Sequence, residues 1–231
     1  MNNIIGGVIA SFIFWFLCSG VPWIRKKLRG RKFKKVFGSS HMVDDFPLVC
    51  GKLYCPQGFV FTKPKAGPNV QFKVSTMISN TDIVAYDYLK KAFVKEVRVN
   101  VKACLDEDLT HPLSYCSFGC LNNLMTLKVL NDAKNRFYNF QNGFLNKRTQ
   151  KSFCCNGTAD YGVIIKVSDE LTKSVQICVA GLGESGTTGS AYFLANRWQE
   201  LERKFGDKDF GCIIEVRNFC DSSAKMVDFV S

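Results

Sequence analysis

The chain has 231 residues, 46% of them hydrophobic, which is enough for one domain with a sizeable core. Its formal net charge is +11 at pH 7, but eight of the 31 basic residues lie between positions 25 and 35. The other basic residues nearly balance the 20 acidic ones, so the composition gives no reason to expect a nucleic acid partner.

The first predicted element is a transmembrane helix over residues 1–24. No Asp, Glu, Lys or Arg precedes Arg25, and about twenty apolar residues suffice to cross a bilayer. A cleaved signal peptide, the alternative, needs a positive charge before the apolar stretch. The basic residues would face anionic lipid, and the positive-inside rule leaves the rest in the cytoplasm. We expect a single-pass inner-membrane protein with an anchor (1–24), a basic linker (25–45) and a cytosolic domain (46–231).

The eleven cysteines are expected to remain thiols in a cytosolic domain, mostly as small core residues. A structural zinc would need closely spaced ligands. None of the close cysteine pairs has the two-residue gap of a zinc knuckle, and the only histidines are His41 and His111. We therefore expect no metal site.

The domain is predicted to alternate strands and helices, which favours an α/β, Rossmann-like layered fold with a mainly parallel sheet. Thr81 can cap a helix, and Asn142-Gly143 is a turn signal. In chain order the predicted elements of the first two thirds are a strand (48–54), a loop or hairpin (56–69), a helix from about Thr81, strands (97–103 and 113–118), a helix (123–132) and a strand (136–140).

The last third contains a predicted strand, glycine loop, helix and strand. Residues 161–167 and 175–180 are apolar runs of strand length, and the second leads into a glycine-rich loop over residues 181–189. A buried helical face then follows, which ends at Gly206 before a strand over residues 212–216. That face consists of Ala191, Leu194, Trp198, Leu201 and Phe205.

The glycine loop is a candidate anion site. Gly181, Gly183 and Gly186 have the spacing that lets backbone amides approach a pyrophosphate at a helix N-terminus. The alternative is a glycine turn that only permits tight strand-to-helix packing. The hydroxyls of Ser185, Thr187 and Thr188 could donate to a phosphate, and Glu184 could accept a ribose hydroxyl. No histidine follows Ser185, which argues against a serine hydrolase.

A second loop, Gly119 to Asn123, also leaves a strand and enters a helix. In a parallel sheet it would emerge beside the glycine loop and form one crevice with it. Asp160 and Asp106 are candidates for the polar rim of that crevice, although either could be a solvated turn residue.

The combination of the Gly119 to Asn122 loop, the helix containing Thr126, the Asp160-Tyr161-Gly162 segment and the Gly181 to Gly189 loop resembles a loosely defined set of bacterial proteins of unassigned activity. In these a Rossmann-like domain is joined to a membrane segment or a DNA-binding module. The resemblance covers about residues 97–220. It implies ligand sensing, with Asn122 or Asn123, Thr126, Gly183, Gly186 and Thr187 as pocket residues.

The sequence thus predicts a membrane-anchored sensor or binding domain for a nucleotide or phosphorylated small molecule, with membrane lipid as a further partner. A nucleotide-processing enzyme that uses Glu184 or Asp160 to hydrolyse an N-glycosidic bond is one alternative. The other is a structural or partner-binding membrane protein, which would be favoured if the chain itself buried the glycine loop.

Overall fold

The computed structural model describes residues 14–38, 46–54, 60–62, 71–73, 76–109 and 114–231. Within these ranges the chain forms five α-helices and fourteen strands. The helices are α1 (Val21–Phe37), α2 (Asn80–Val97), α3 (Leu124–Asn131), α4 (Glu184–Asn196) and α5 (Trp198–Phe205). The strands are β1 (Phe46–Cys50), β2 (Lys52–Tyr54), β3 (Val60–Thr62), β4 (Gln71–Lys73), β5 (Thr76–Ile78), β6 (Val101–Leu105), β7 (Tyr115–Phe118), β8 (Tyr138–Phe140), β9 (Phe144–Asn146), β10 (Ser152–Phe153), β11 (Ala159–Ser168), β12 (Val175–Gly181), β13 (Phe210–Arg217) and β14 (Cys220–Val230).

A seven-stranded sheet in the order β14-β13-β11-β12-β7-β1-β6 forms the centre of the fold. Strands β12, β7, β1 and β6 run parallel to one another. Strands β11, β13 and β14 join them through antiparallel pairs, and these pairs are longer than the parallel ones. The predicted Rossmann-like fold with a mainly parallel sheet is therefore wrong, because the sheet is mixed and most of its paired residues are antiparallel.

Short connections explain the antiparallel half. Only residues 169–174 separate β11 from β12, and only Asn218 and Phe219 separate β13 from β14. A parallel neighbour requires a crossover of a dozen or more residues, so both connections can only form hairpins. The long crossovers, such as β1 to β6 through α2, lie in the parallel half.

The predicted transmembrane helix is contradicted. No helix in the described ranges combines the length and the apolar character needed to cross a bilayer. The predicted single-pass location in the inner membrane is therefore wrong as well. Residues 1–13 of the predicted anchor lie outside the described residues, as does most of the loop or hairpin predicted over residues 56–69.

The basic segment forms a helix that joins the domain, where we expected a linker. The second half of α1 buries Gly30, Phe33, Val36 and Phe37. The ring of Phe33 contacts the rings of Phe93 in α2 and Trp198 in α5 edge to face, with centroids 5.0 and 5.3 Å apart. The side chains of α1 before Gly30 are mostly exposed. Helix α1 is thus held by the core at one end only.

Each face of the sheet is covered by a different layer. On one face, helices α1, α2, α4 and α5 bury aromatic and aliphatic side chains such as Phe93, Phe193 and Leu201. On the other face, α3 and the small sheet β10-β9-β8 cover residues such as Val163 and Ile213. Cys116, Cys178 and Cys212 are fully buried between these layers, and burial raises the pKa of each thiol.

The predicted apolar face of the last helix is confirmed, since Ala191, Leu194, Trp198, Leu201 and Phe205 are all buried. These residues belong to two helices, because the backbone leaves helical geometry at Arg197, between α4 and α5. The glycine loop is also shorter than predicted. Helix α4 already begins at Glu184, so the positions from Gly186 to Gly189 are helical.

Candidate functional site

The two predicted loops lie at one edge of the sheet. Strands β7 and β12 are parallel, so the loops that follow Phe118 and Gly181 emerge on the same side. Strand β11 runs the opposite way and begins there, where Gly162 pairs with Gly181. Asp160, near the start of β11, therefore lies beside the glycine loop.

The Asp160 carboxylate accepts hydrogen bonds from the backbone amides that we predicted to bind a phosphate. Gly186 donates its N–H to Asp160 Oδ2 at 2.6 Å, and Gly183 donates to Asp160 Oδ1 at 3.1 Å. The N–H of Tyr161 and the thiol of Cys155 also donate to Oδ1. Asp160 is 4% exposed. The N-terminus of α4 thus has an internal anion that satisfies its orphan donors and interacts favourably with its dipole.

The glycines of this loop permit close packing between chain segments. A Cβ atom on Gly186 would lie 2.4 Å from the carbonyl oxygen of Tyr161, and one on Gly181 would lie 2.1 Å from the amide nitrogen of Thr187. A Cβ on Gly183 would lie 2.7 Å from Asp160 Oδ2. The spaces that a Cβ would fill are therefore occupied by the chain's own backbone and by Asp160.

The hydroxyl groups of the loop also have partners within the chain. Ser185 Oγ accepts the N–H of Phe219 at 3.0 Å, and Thr187 Oγ1 donates to the carbonyl of Gly183. Thr188 Oγ1 donates to Asp221 Oδ1 at 2.6 Å. Glu184 is an exposed residue in the first turn of α4, and the three residues that follow it are buried. These contacts tie the start of α4 to the β13–β14 hairpin.

The second loop is held by its own amide side chain. Asn123 is buried; it accepts from the amides of Met125 and Thr126 and donates to the carbonyls of Val49 and Phe118. Gly119 has a φ of +84°, which favours glycine, and a Cβ there would lie 2.7 Å from Asn122 Oδ1. Asn123 therefore caps α3 and joins β1 to β7.

Two further carboxylates tie neighbouring loops together at this edge. Buried Asp106 accepts from the amides of Lys52 and Leu124, and buried Asp82 accepts from Gly51 at 2.8 Å. Burial is the main cause that raises the pKa of Asp82 to about 6; the hydrogen bond from Gly51 opposes the shift, and the nearby charge of Asp106 adds to it. Asp82, Asp106, Asn123 and Asp160 at this edge thus all accept hydrogen bonds from backbone amides of the chain itself.

A cationic cleft that the sequence reasoning did not identify lies between α1 and the end of α2. Its volume is about 410 Å³. Trp23, Gly30 and Glu96 lie in its wall. Its five cationic lining residues are Lys26, Lys27, Arg31, Lys34 and Arg98. The run of basic residues was visible in the sequence. We assigned it to a linker that faces lipid, so we did not expect it to pack against α2.

Among the described residues that line this cleft, the one carboxylate, Glu96, is already neutralised. Arg29 donates through Nε and Nη2 to the two oxygens of Glu96, each at 2.6 Å. Such a bidentate pair satisfies the carboxylate and fixes its orientation. Lys26, Arg31 and Lys34 form no ion pair with any residue that the structure describes. The cleft therefore has a strong net positive charge.

A second cleft of about 330 Å³ lies on the other side of the Arg29–Glu96 pair. Arg29, Lys91 and Lys95 line it together with Tyr88 and Tyr192. The cationic surface thus extends along α1 and α2 on both sides of the partly buried Arg29–Glu96 pair.

No group of three His, Cys, Asp or Glu side chains in the described part of the chain is placed to hold a metal ion. His41 and His111 lie outside that part. Comparisons of the chain with protein-family models, with curated proteins and with solved structures gave no match.

Proposed function

We propose that this protein is a binding module for a phosphate-bearing anion, which it holds in the cationic cleft between α1 and α2. The observation that carries the proposal is the convergence of Lys26, Lys27, Arg31, Lys34 and Arg98 on one concave space. Like charges so close together repel one another unless a bound anion compensates them. Arginine and lysine are also the side chains that phosphate oxygens select.

The size of the cleft suits a small ligand or a single headgroup. Its volume of about 410 Å³ falls at the lower end of the range for small-molecule sites, roughly 300–1,000 Å³. Trp23 supplies an apolar wall, and its ring also lies 4.9 Å from the ammonium of Lys27. The cleft thus offers charge for a phosphate and an apolar surface for the group attached to it.

The candidates for catalysis argue for binding without turnover. Asp160 already accepts four hydrogen bonds, which leaves it poorly suited to act as a base or a nucleophile. Glu184 is an exposed residue in a first helical turn. Because Asp160 and the chain's own backbone occupy the glycine loop, the loop itself favours the structural or partner-binding alternative over the enzyme, and the anion-binding proposal rests on the cationic cleft.

The test is isothermal titration of the full chain with inorganic phosphate and with pyrophosphate, at low salt. We expect binding that weakens as salt increases and is lost in a triple variant with Lys26→Glu, Arg31→Glu and Lys34→Glu. The matched control reverses three exposed cations elsewhere on the surface, Lys128→Glu, Arg148→Glu and Lys208→Glu. Equal loss of binding in both triple variants, or no binding by the parent protein, would contradict the proposed site.

A further inference from the structure

Helix α1 and the helical residues that precede it expose large apolar side chains, of which Trp23 lines the cationic cleft. Phe14, at the start of the described helical segment, is 71% exposed, Trp23 is 62% exposed and Leu28 is 50% exposed. Ile24 adds to this apolar surface. Lysines 26 and 27 lie between Trp23 and Leu28 in the same helix. Apolar contact area and positive charge are therefore presented together.

This combination distinguishes between possible sources of the phosphate. A soluble phosphorylated molecule would contact the cations and one wall of the cleft, and its binding would not account for the exposure of Phe14 and Leu28. A nucleic acid backbone uses cations and flat rings, but it has little use for an exposed leucine and isoleucine. The surface of an anionic lipid layer uses all of them, since apolar side chains enter the headgroup and acyl boundary while cations remain at the phosphates.

We propose that α1 docks on an anionic phospholipid surface, with a headgroup phosphate in the cationic cleft and Phe14, Trp23 and Leu28 in the interfacial layer. This inference rests on the proposed function, because it names the source of the anion that the cleft binds. It concerns adsorption to a lipid surface and not passage through it.

The fold supports such docking by fixing the direction of α1. The second half of the helix packs into the core through Phe33 and Phe37. Near the end of α1, the carbonyl of Lys35 accepts from the buried ammonium of Lys166 at 2.9 Å. The packed second half therefore fixes the orientation of the first half, so little conformational entropy is lost when the helix docks.

The test is co-sedimentation of the full chain with phosphatidylcholine vesicles, with and without phosphatidylserine, in parallel with titration by inorganic phosphate. We expect binding only to the phosphatidylserine vesicles. The Lys26→Glu, Arg31→Glu, Lys34→Glu variant should partition at least about 100-fold more weakly, since each juxtamembrane cation contributes about 1 kcal/mol. An Ile24→Ser, Leu28→Ser variant should lose vesicle binding and retain phosphate binding, because both side chains are exposed on α1, neither lines the cleft, and every cation is kept.

The outcomes separate the two proposals. If phosphate binds and phosphatidylserine vesicles do not, the lipid inference is wrong and the binding function remains. If neither binds, both proposals fail. Equal binding to vesicles with and without phosphatidylserine would show nonspecific apolar adsorption and overturn the inference. Preferential binding of a single-stranded RNA homopolymer over the vesicles would do the same.

Discussion

Replacing Asp160 with alanine should destabilise the domain by about 3–5 kcal/mol. The substitution leaves the buried amide of Gly186 and the partly buried amide of Gly183 without their acceptor, and a hydrogen bond to a charged group contributes about 1.5–3 kcal/mol. It also removes a negative charge from the N-terminus of α4, which adds up to about 2 kcal/mol in a buried setting. Water can replace little of this, because Asp160 is almost completely buried.

The measurement is urea unfolding of the full chain, followed by far-ultraviolet circular dichroism and tryptophan fluorescence. Asp160→Asn, which retains one oxygen acceptor, should show about half the loss and keeps the test interpretable if the alanine variant does not fold. Asp108→Ala, an exposed carboxylate at the same edge of the sheet, is the control and should change the free energy of unfolding by less than about 0.5 kcal/mol. A loss below about 1 kcal/mol in both Asp160 variants would refute the internal capping of α4.

Three further outcomes follow from the packing and the buried charges. Phe33→Ala should lower the free energy of unfolding by about 3–5 kcal/mol in urea titration, because Phe33 is fully buried against Phe93 and Trp198; an effect under 1 kcal/mol would show that α1 is not part of the core. Asp82 has a folded-state pKa raised to about 6, so its contribution to stability should fall as pH rises from about 4 to 6. Asp82→Asn should remove this decline, on the order of 1–3 kcal/mol, in unfolding curves at several pH values. The same decline in the variant and in the parent protein would contradict the shift. Burial lowers the pKa of Lys166 to about 8, so the parent protein should gain stability relative to Lys166→Met between about pH 8 and 10.5 in the same assay. If the difference in free energy of unfolding between the two proteins stays constant with pH, the ammonium is not buried.

The sequence predicted local elements better than their assembly. The buried positions around Trp198 follow from helical spacing, and the strands over residues 161–167 and 175–180 follow from unbroken apolar runs. The direction of β11 could also have been deduced, since the six residues before β12 leave no room for a crossover. Strand β14 was missed because polar residues interrupt its apolar ones and it is only partly buried, so it lacks the apolar run of a central strand.

The glycine loop shows why a motif alone does not define a site. The spacing of Gly181, Gly183 and Gly186 correctly marks a strand that enters a helix closely. It could not reveal that Asp160, more than twenty residues earlier, would supply the anion, because that contact depends on the antiparallel register of β11 with β12. The cationic cleft was hidden for a related reason, since it requires α1 to fold back onto α2.

The way α1 is held has a consequence for the order in which the molecule folds. The bond from Lys166 to the carbonyl of Lys35 closes a sequence separation of 131 residues, whereas the β13–β14 hairpin closes over two. Closing a long loop costs conformational entropy before the contact can contribute any stabilisation, so local hairpins form early and α1 docks late. During synthesis α1 leaves the ribosome long before α5, the helix that contains Trp198, against which Phe33 packs. The aromatic face of α1 therefore stays exposed until the C-terminal half of the chain has emerged.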